Sequence, residues 1–171
     1  DIWFGDNCSF TGNAYASIFA DDFGVLQTTG GKLISGGGDI IIRGDFYTSS
    51  TDCQIIHSEN AKIIFESDYG ISLEGIEYIH NKGSLVFNQS TDAQFIAGES
   101  ELYHIEKKGT NVLTFASNIT QNSNADFLVT EGTFVIAEKA FVAGNLKVSS
   151  GATFKQTGNN VDAEQSIATL T

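Results

Sequence analysis

Along the chain the apolar residues fall into short β-branched and aromatic runs, each interrupted by clusters of Gly, Asn, Asp or Ser. The runs include Leu33-Ile34, Ile40-Ile41-Ile42, Ile63-Ile64-Phe65, Leu85-Val86-Phe87, Val112-Leu113-Thr114-Phe115, Phe134-Val135-Ile136 and Leu146-Lys147-Val148. Short apolar runs bounded by turn-forming residues predict strands. No helical period is visible before the C-terminal end, so helices that could serve as βαβ crossovers are not expected. The chain reads as all-β.

The strands repeat. Gly83-Ser84-Leu85-Val86-Phe87, Gly109-Thr110-Asn111-Val112-Leu113, Gly132-Thr133-Phe134-Val135-Ile136 and Gly151-Ala152-Thr153-Phe154 share one plan, glycine followed by a β run. The spacing of these glycines is loosely regular, and Lys62–Phe65 precedes Ser84–Phe87 by a similar interval. A period of about 20 residues predicts a solenoid, because one coil cannot bury its own apolar face and must stack on the next. At about 4.8 Å per coil, about seven or eight coils would form a rod roughly 35 Å long. The expected division is a β-solenoid over residues 1–158 and a polar tail or frayed terminal coil over 159–171. The alternative is an antiparallel β-sandwich, but its hairpins favour Asn-Gly or Asp-Gly turns, and neither dipeptide occurs.

Composition sharpens this picture. The 171 residues include 18 Gly and no Pro, where average usage would give about 8 or 9 prolines. A chain that commits nearly every backbone N–H to a ladder has no room for a residue without one. Nine basic against 21 acidic residues give a net charge of −12, which repels phosphate backbones and argues against nucleic-acid binding. No apolar run approaches the roughly 18 residues of a membrane span. A start at Asp1 is expected of a mature or excised fragment, with membrane attachment only through segments outside it. Uncapped solenoid ends would favour self-association.

Ile105 to Phe115, containing Lys108-Gly109 and Leu113-Thr114-Phe115, followed by Asn118, Val129 and Gly132-Thr133-Phe134, resembles the repeat common in autotransporter passenger domains. Phe4-Gly5-Asp6-Asn7, Phe10-Thr11-Gly12-Asn13 and Phe115-Ala116-Ser117-Asn118 are similar to the Phe-x-x-Asn tetrapeptide of the chlamydial polymorphic membrane proteins, themselves autotransporters. The resemblance implies a right-handed parallel β-helix, part of a longer passenger, at the surface of a Gram-negative cell or secreted from it. It implies an adhesive role, with a host-cell receptor or matrix protein as partner. In the tetrapeptide, Phe would fill the core while Asn supports a corner by bonding local backbone.

Candidate chemistry is sparse. Arg43-Gly44-Asp45 is the integrin-recognition tripeptide when it lies on an exposed loop, and it follows the strand Ile40–Ile42. Cys8 and Cys53 would form a disulfide if the fold brings them within reach in an oxidising compartment; the alternative is two buried thiols. Asp21-Asp22 would suit glycoside cleavage only if two carboxyls were held about 5–9.5 Å apart with one pKa raised. His57, His80 and His104 recur at nearly equal intervals and would stack on successive coils, where a row of imidazoles can bind metal or titrate together. No Gly-x-Ser-x-Gly elbow occurs. The expectation is therefore a non-catalytic adhesive module without cofactor or metal. A spacer or folding-assist segment and a carbohydrate-active β-helix enzyme are the alternatives.

Overall fold

The structure, a computed structural model, describes residues 9–12, 15, 17–19, 23–26, 31–44, 46–48, 53–68, 70–137, 139–157 and 165–170. The chain winds around three faces. The first coil contributes β1 (Ser9–Thr11), β2 (Ser17–Phe19) and β3 (Phe23–Leu26), one strand to each face. The second repeats the order with β4 (Lys32–Ile34), β5 (Ile40–Ile42) and β6 (Phe46–Thr48). The third supplies β7 (Cys53–Ile56), β8 (Lys62–Phe65) and β9 (Ile71–Ser72), and the fourth β10 (Ile76–Ile79), β11 (Ser84–Phe87) and β12 (Ala93–Ile96).

Further along, the first face narrows to a bridge between Leu102 and Gln121 and the short β15 (Ile119–Thr120). The other two faces continue through β13 (His104–Lys107), β14 (Val112–Phe115), β16 (Asp126–Val129) and β17 (Thr133–Ala137). β18 (Phe141–Val148) runs through a corner, pairing with β15 at one end and β16 at the other, so the first and second faces fuse there. β19 (Thr153–Thr157) pairs with β17, and β20 (Gln165–Leu170) with β18.

Pairings between these strands are parallel and join residues one coil apart in sequence, such as Ile40 with Ile63 and Ile105 with Phe127. Parallel neighbours cannot be joined by tight hairpins. The fold is therefore a parallel β-solenoid and not the antiparallel sandwich. The third face holds seven strands from β3 to β19, hence about six turns, slightly fewer than the expected seven or eight. Six steps of about 4.8 Å give a stack about 29 Å high.

Alternation along each strand sends every second side chain inward. On the second face one interior column is Ile40, Ile63, Leu85, Ile105, Phe127 and Leu146, all buried. Burial of each such side chain contributes roughly 1.5–3 kcal/mol. Down the middle runs a phenylalanine spine, with ring centroids 4.8 Å apart for Phe87–Phe95 and Phe95–Phe115, 4.5 Å for Phe115–Phe134 and 4.7 Å for Phe127–Phe134. Their tilted and edge-on contacts add about 0.5–1.5 kcal/mol per pair beyond area burial.

The repeating glycines sit at corners. Gly132 has φ +65°, and a Cβ there would lie 2.4 Å from the Gly109 carbonyl oxygen and 2.5 Å from that of Asn111. Both the left-handed backbone and the close approach of the coil below require glycine. Leu113 of β14 pairs with Phe134 of β17, so the two halves of the resemblance motif are same-face neighbours in successive coils. Phe115 is fully buried as expected, but Asn118 reaches the next coil instead of local backbone: its Oδ1 accepts from the Ala140 N–H at 3.1 Å.

Candidate functional site

Between the first and second faces the third and fourth coils turn through His57–Ala61 and His80–Gly83. Because Ile56 pairs with Ile79, these two turns lie one above the other, and the His57 N–H donates to the Ile79 carbonyl at 2.9 Å. Together they border an open depression of about 860 Å³. Its apolar wall is the outward-facing pair Ile56 and Ile79, and its polar rim includes Glu59, Asn81, Lys82 and Glu101.

The turn chemistry here differs from that of the other described corners. Asn60 (φ 64°), Asn81 (φ 40°) and Lys82 (φ 63°) are the non-glycine residues with left-handed backbone among those described. All three belong to this corner. Asn tolerates the conformation through local hydrogen bonding, whereas Lys bears its cost of order 1–3 kcal/mol. Asn81 repays part of that by donating its Nδ2 to the His57 carbonyl at 2.8 Å.

His57 points inward and is fully buried, with its Nδ1 2.6 Å from the Tyr78 hydroxyl. The neighbouring Gly83 leaves room for the ring: a Cβ there would lie 2.4 Å from the imidazole. His57 Nε2 is buried without a hydrogen-bond partner. Burial lowers the His57 pKa from 6.5 to about 4, opposed by the Ala61 backbone and reinforced, to a smaller extent, by His80. Burial likewise pushes the Tyr78 phenol far above its ordinary value. Both groups are therefore neutral near pH 7, which suits an interior position.

The expected histidine column forms in part. His57 and His80 occupy successive coils, but the next ring above His80 is Tyr103, stacked at 5.0 Å with planes 12° apart. His104 has moved one position on, into β13, where its Nδ1 accepts from the Asp126 N–H at 3.0 Å. A shortened coil explains the slip, since the step from Ser84 to its partner His104 spans less chain than the step from Lys62 to Ser84. Among the described residues no group of three or more His, Cys, Asp or Glu is placed to hold a metal ion.

Around the rim the charged groups are loosely paired across coils, Lys82 Nζ to Glu59 Oε1 at 3.7 Å and His80 Nε2 to Glu101 Oε1 at 3.5 Å. Both are longer than the roughly 2.7–2.9 Å of a direct charge-assisted hydrogen bond.

Of the other sequence-derived candidates, those among the described residues lie apart from this corner. Arg43 is exposed at the end of β5, and its Nε donates to Glu66 Oε2 at 2.9 Å, tying the guanidinium to the coil above. Gly44 is buried, and Asp45 lies outside the described residues. Cys53 is buried at the start of β7, while Cys8, Asp21 and Asp22 lie outside the described residues. Asp39 accepts the Lys62 N–H at 3.0 Å and so supports the start of β8.

Sequence reasoning did not single out Lys107. It occupies the interior column below Val129 and above Phe87 and is fully buried. Its Nζ donates to the carbonyls of Lys108 (2.5 Å) and Gly109 (2.7 Å) and to Asn111 Oδ1 (2.9 Å). Burial lowers its pKa to about 8, partly offset by Glu131 and Asp92. Nearby Gln89 is buried with neither side-chain atom hydrogen-bonded. Strict alternation from Ile105 inward to Glu106 outward was the available signal for Lys107.

Comparison with protein-family models, curated proteins and solved structures finds no match to this chain.

Proposed function

We propose that the chain is a non-catalytic, surface-exposed adhesive module that presents its turns from a rigid rod. The observation that carries this reading is the regular tie between the exteriors of successive coils. Arg43–Glu66, Gln54–Glu77 and Ser90–Asp68 each join residues one coil apart. Backbone ladders hold each turn at a fixed height, and these outer ties fix its side chains as well. Such an arrangement suits recognition at turns borne by an inert scaffold. The passenger-like repeat supports placement at a bacterial surface or in the secreted fraction.

The test is adhesion of cultured epithelial cells to the immobilised protein, with Asp45→Glu alongside. Adhesion abolished by that substitution assigns contact to Arg43-Gly44-Asp45. Adhesion unchanged by it keeps the module adhesive and places contact elsewhere. No adhesion above an inert protein of equal charge rejects the reading.

A further inference from the structure

We propose that the corner formed by His57–Ala61 and His80–Gly83 is a binding site for an uncharged saccharide. Two independent features converge on it. The left-handed non-glycine residues Asn60, Asn81 and Lys82 cluster there, and backbone strain of this kind concentrates at ligand sites. In addition, Lys82 Nζ and Glu59 Oε1 stand 3.7 Å apart at the rim, leaving hydrogen-bonding capacity unspent.

The chemistry of the wall selects the ligand class. Ile56 and Ile79 offer an aliphatic strip about one coil spacing broad, roughly 4.8 Å, on which the C–H face of a pyranose ring can lie. Glu59 and Glu101 supply acceptors for hydroxyl groups, and Lys82 and Asn81 supply donors. This mixture of an apolar strip with a few convergent polar groups is that of a small-molecule site. An anionic sugar is disfavoured, because the rim carries two carboxylates and the chain a net charge of −12. An open depression also lets one face of the sugar remain in water, as the end of a longer glycan requires.

The proposal rests on the adhesive reading, which it narrows to a glycan contact. Its test is a titration of the full chain, labelled at isoleucine methyl groups and histidine rings, with separate neutral sugars. The probes are methyl glucoside, methyl galactoside, methyl mannoside, N-acetylglucosamine and N-acetylgalactosamine, with sialyllactose as the anionic comparison. The expected result is saturable NMR shifts at Ile56, Ile79 and His80 with at least one neutral sugar, with Kd on the order of 1 mM. Lys82→Gly removes both the rim ammonium and the strained side chain, so it should weaken binding at least about fivefold while raising Tm by about 2–4 °C. Opposite signs for binding and stability are not expected of a residue with a purely structural role.

No shift at these residues with any neutral sugar at about 20 mM, twenty times the expected Kd, overturns the inference. So does a response to sialyllactose alone, or a Lys82→Gly variant that binds like the parent. Cell adhesion without any saccharide shift removes this inference and leaves the adhesive reading standing. Saccharide binding without cell adhesion does the reverse.

Discussion

Single residues in this chain answer to the coil above and below as much as to their sequence neighbours. Gly132 and Gly151 make the point. Both have positive φ, but a Cβ at Gly132 would strike the coil beneath, whereas one at Gly151 meets nothing within 4 Å. Gly151→Ala should therefore cost only the left-handed backbone penalty, about 1–2 kcal/mol. Gly132→Ala should cost at least about 2 kcal/mol more, because backbone must shift. Urea unfolding of the two variants separates these terms.

His57 gives a second prediction at this scale. In the unfolded chain it binds a proton near pH 6.5, in the folded chain only near 4. Stability should thus fall as pH drops through that interval, by on the order of 2–3 kcal/mol from this group. His57→Gln should flatten the profile by that amount in urea titrations between pH 7 and 4. The spacing of the histidines was legible in the sequence. The inward turn of His57 was not, because it depends on Gly83 of the following coil leaving space for the ring.

At the level of strands, seven apolar runs in the sequence all fall within strands, and the recurring glycines stand at the corners that precede them. Strands such as β7, β10 and β13 were less visible because β7 and β10 carry an outward Ile56 and Ile79 and β13 an inward Lys107, which blurs alternation. Phase was the hidden quantity. The step from Phe127 to Leu146 spans less chain than the step from Ile40 to Ile63, so a fixed period drifts out of register within a few turns. That drift displaced His104 from the column of His57 and His80.

Energetic weight is equally uneven between the two sides of a strand. Phe134 sits at the centre of the spine with four ring neighbours, Phe115, Phe127, Phe141 and Phe154. Phe134→Ala should cost about 3–5 kcal/mol. On the outer face, Arg43→Ala breaks an exposed ion pair with Glu66 and should cost less than about 1 kcal/mol. Thermal unfolding of both variants tests whether stability resides in the interior columns.

Lys107 is the exception inside those columns. Lys107→Ala leaves a cavity and three acceptors without their donor, so a loss of about 3 kcal/mol or more is expected. A loss well below about 1 kcal/mol, the net worth of one ordinary hydrogen bond, would show that the ammonium is not the tie that closes the turn after β13.

For the molecule as a whole, the adhesive reading and the saccharide corner both depend on coils stacked at constant height. The outward positions Lys62, Ser84, His104, Asp126 and Asn145 form one column down the second face, one coil apart each. Placing spin labels at Lys62 together with His104, Asp126 or Asn145, with Cys8 and Cys53 replaced by alanine, reads that column directly by pulsed dipolar spectroscopy. Stacking predicts mean distances that lengthen by about 4.8 Å per coil, so that Lys62 and Asn145 are separated by about 19 Å plus a constant label offset. Distances that fail to lengthen steadily across the three pairs, or that shorten for the most distant one, would contradict the solenoid and the fixed display built on it.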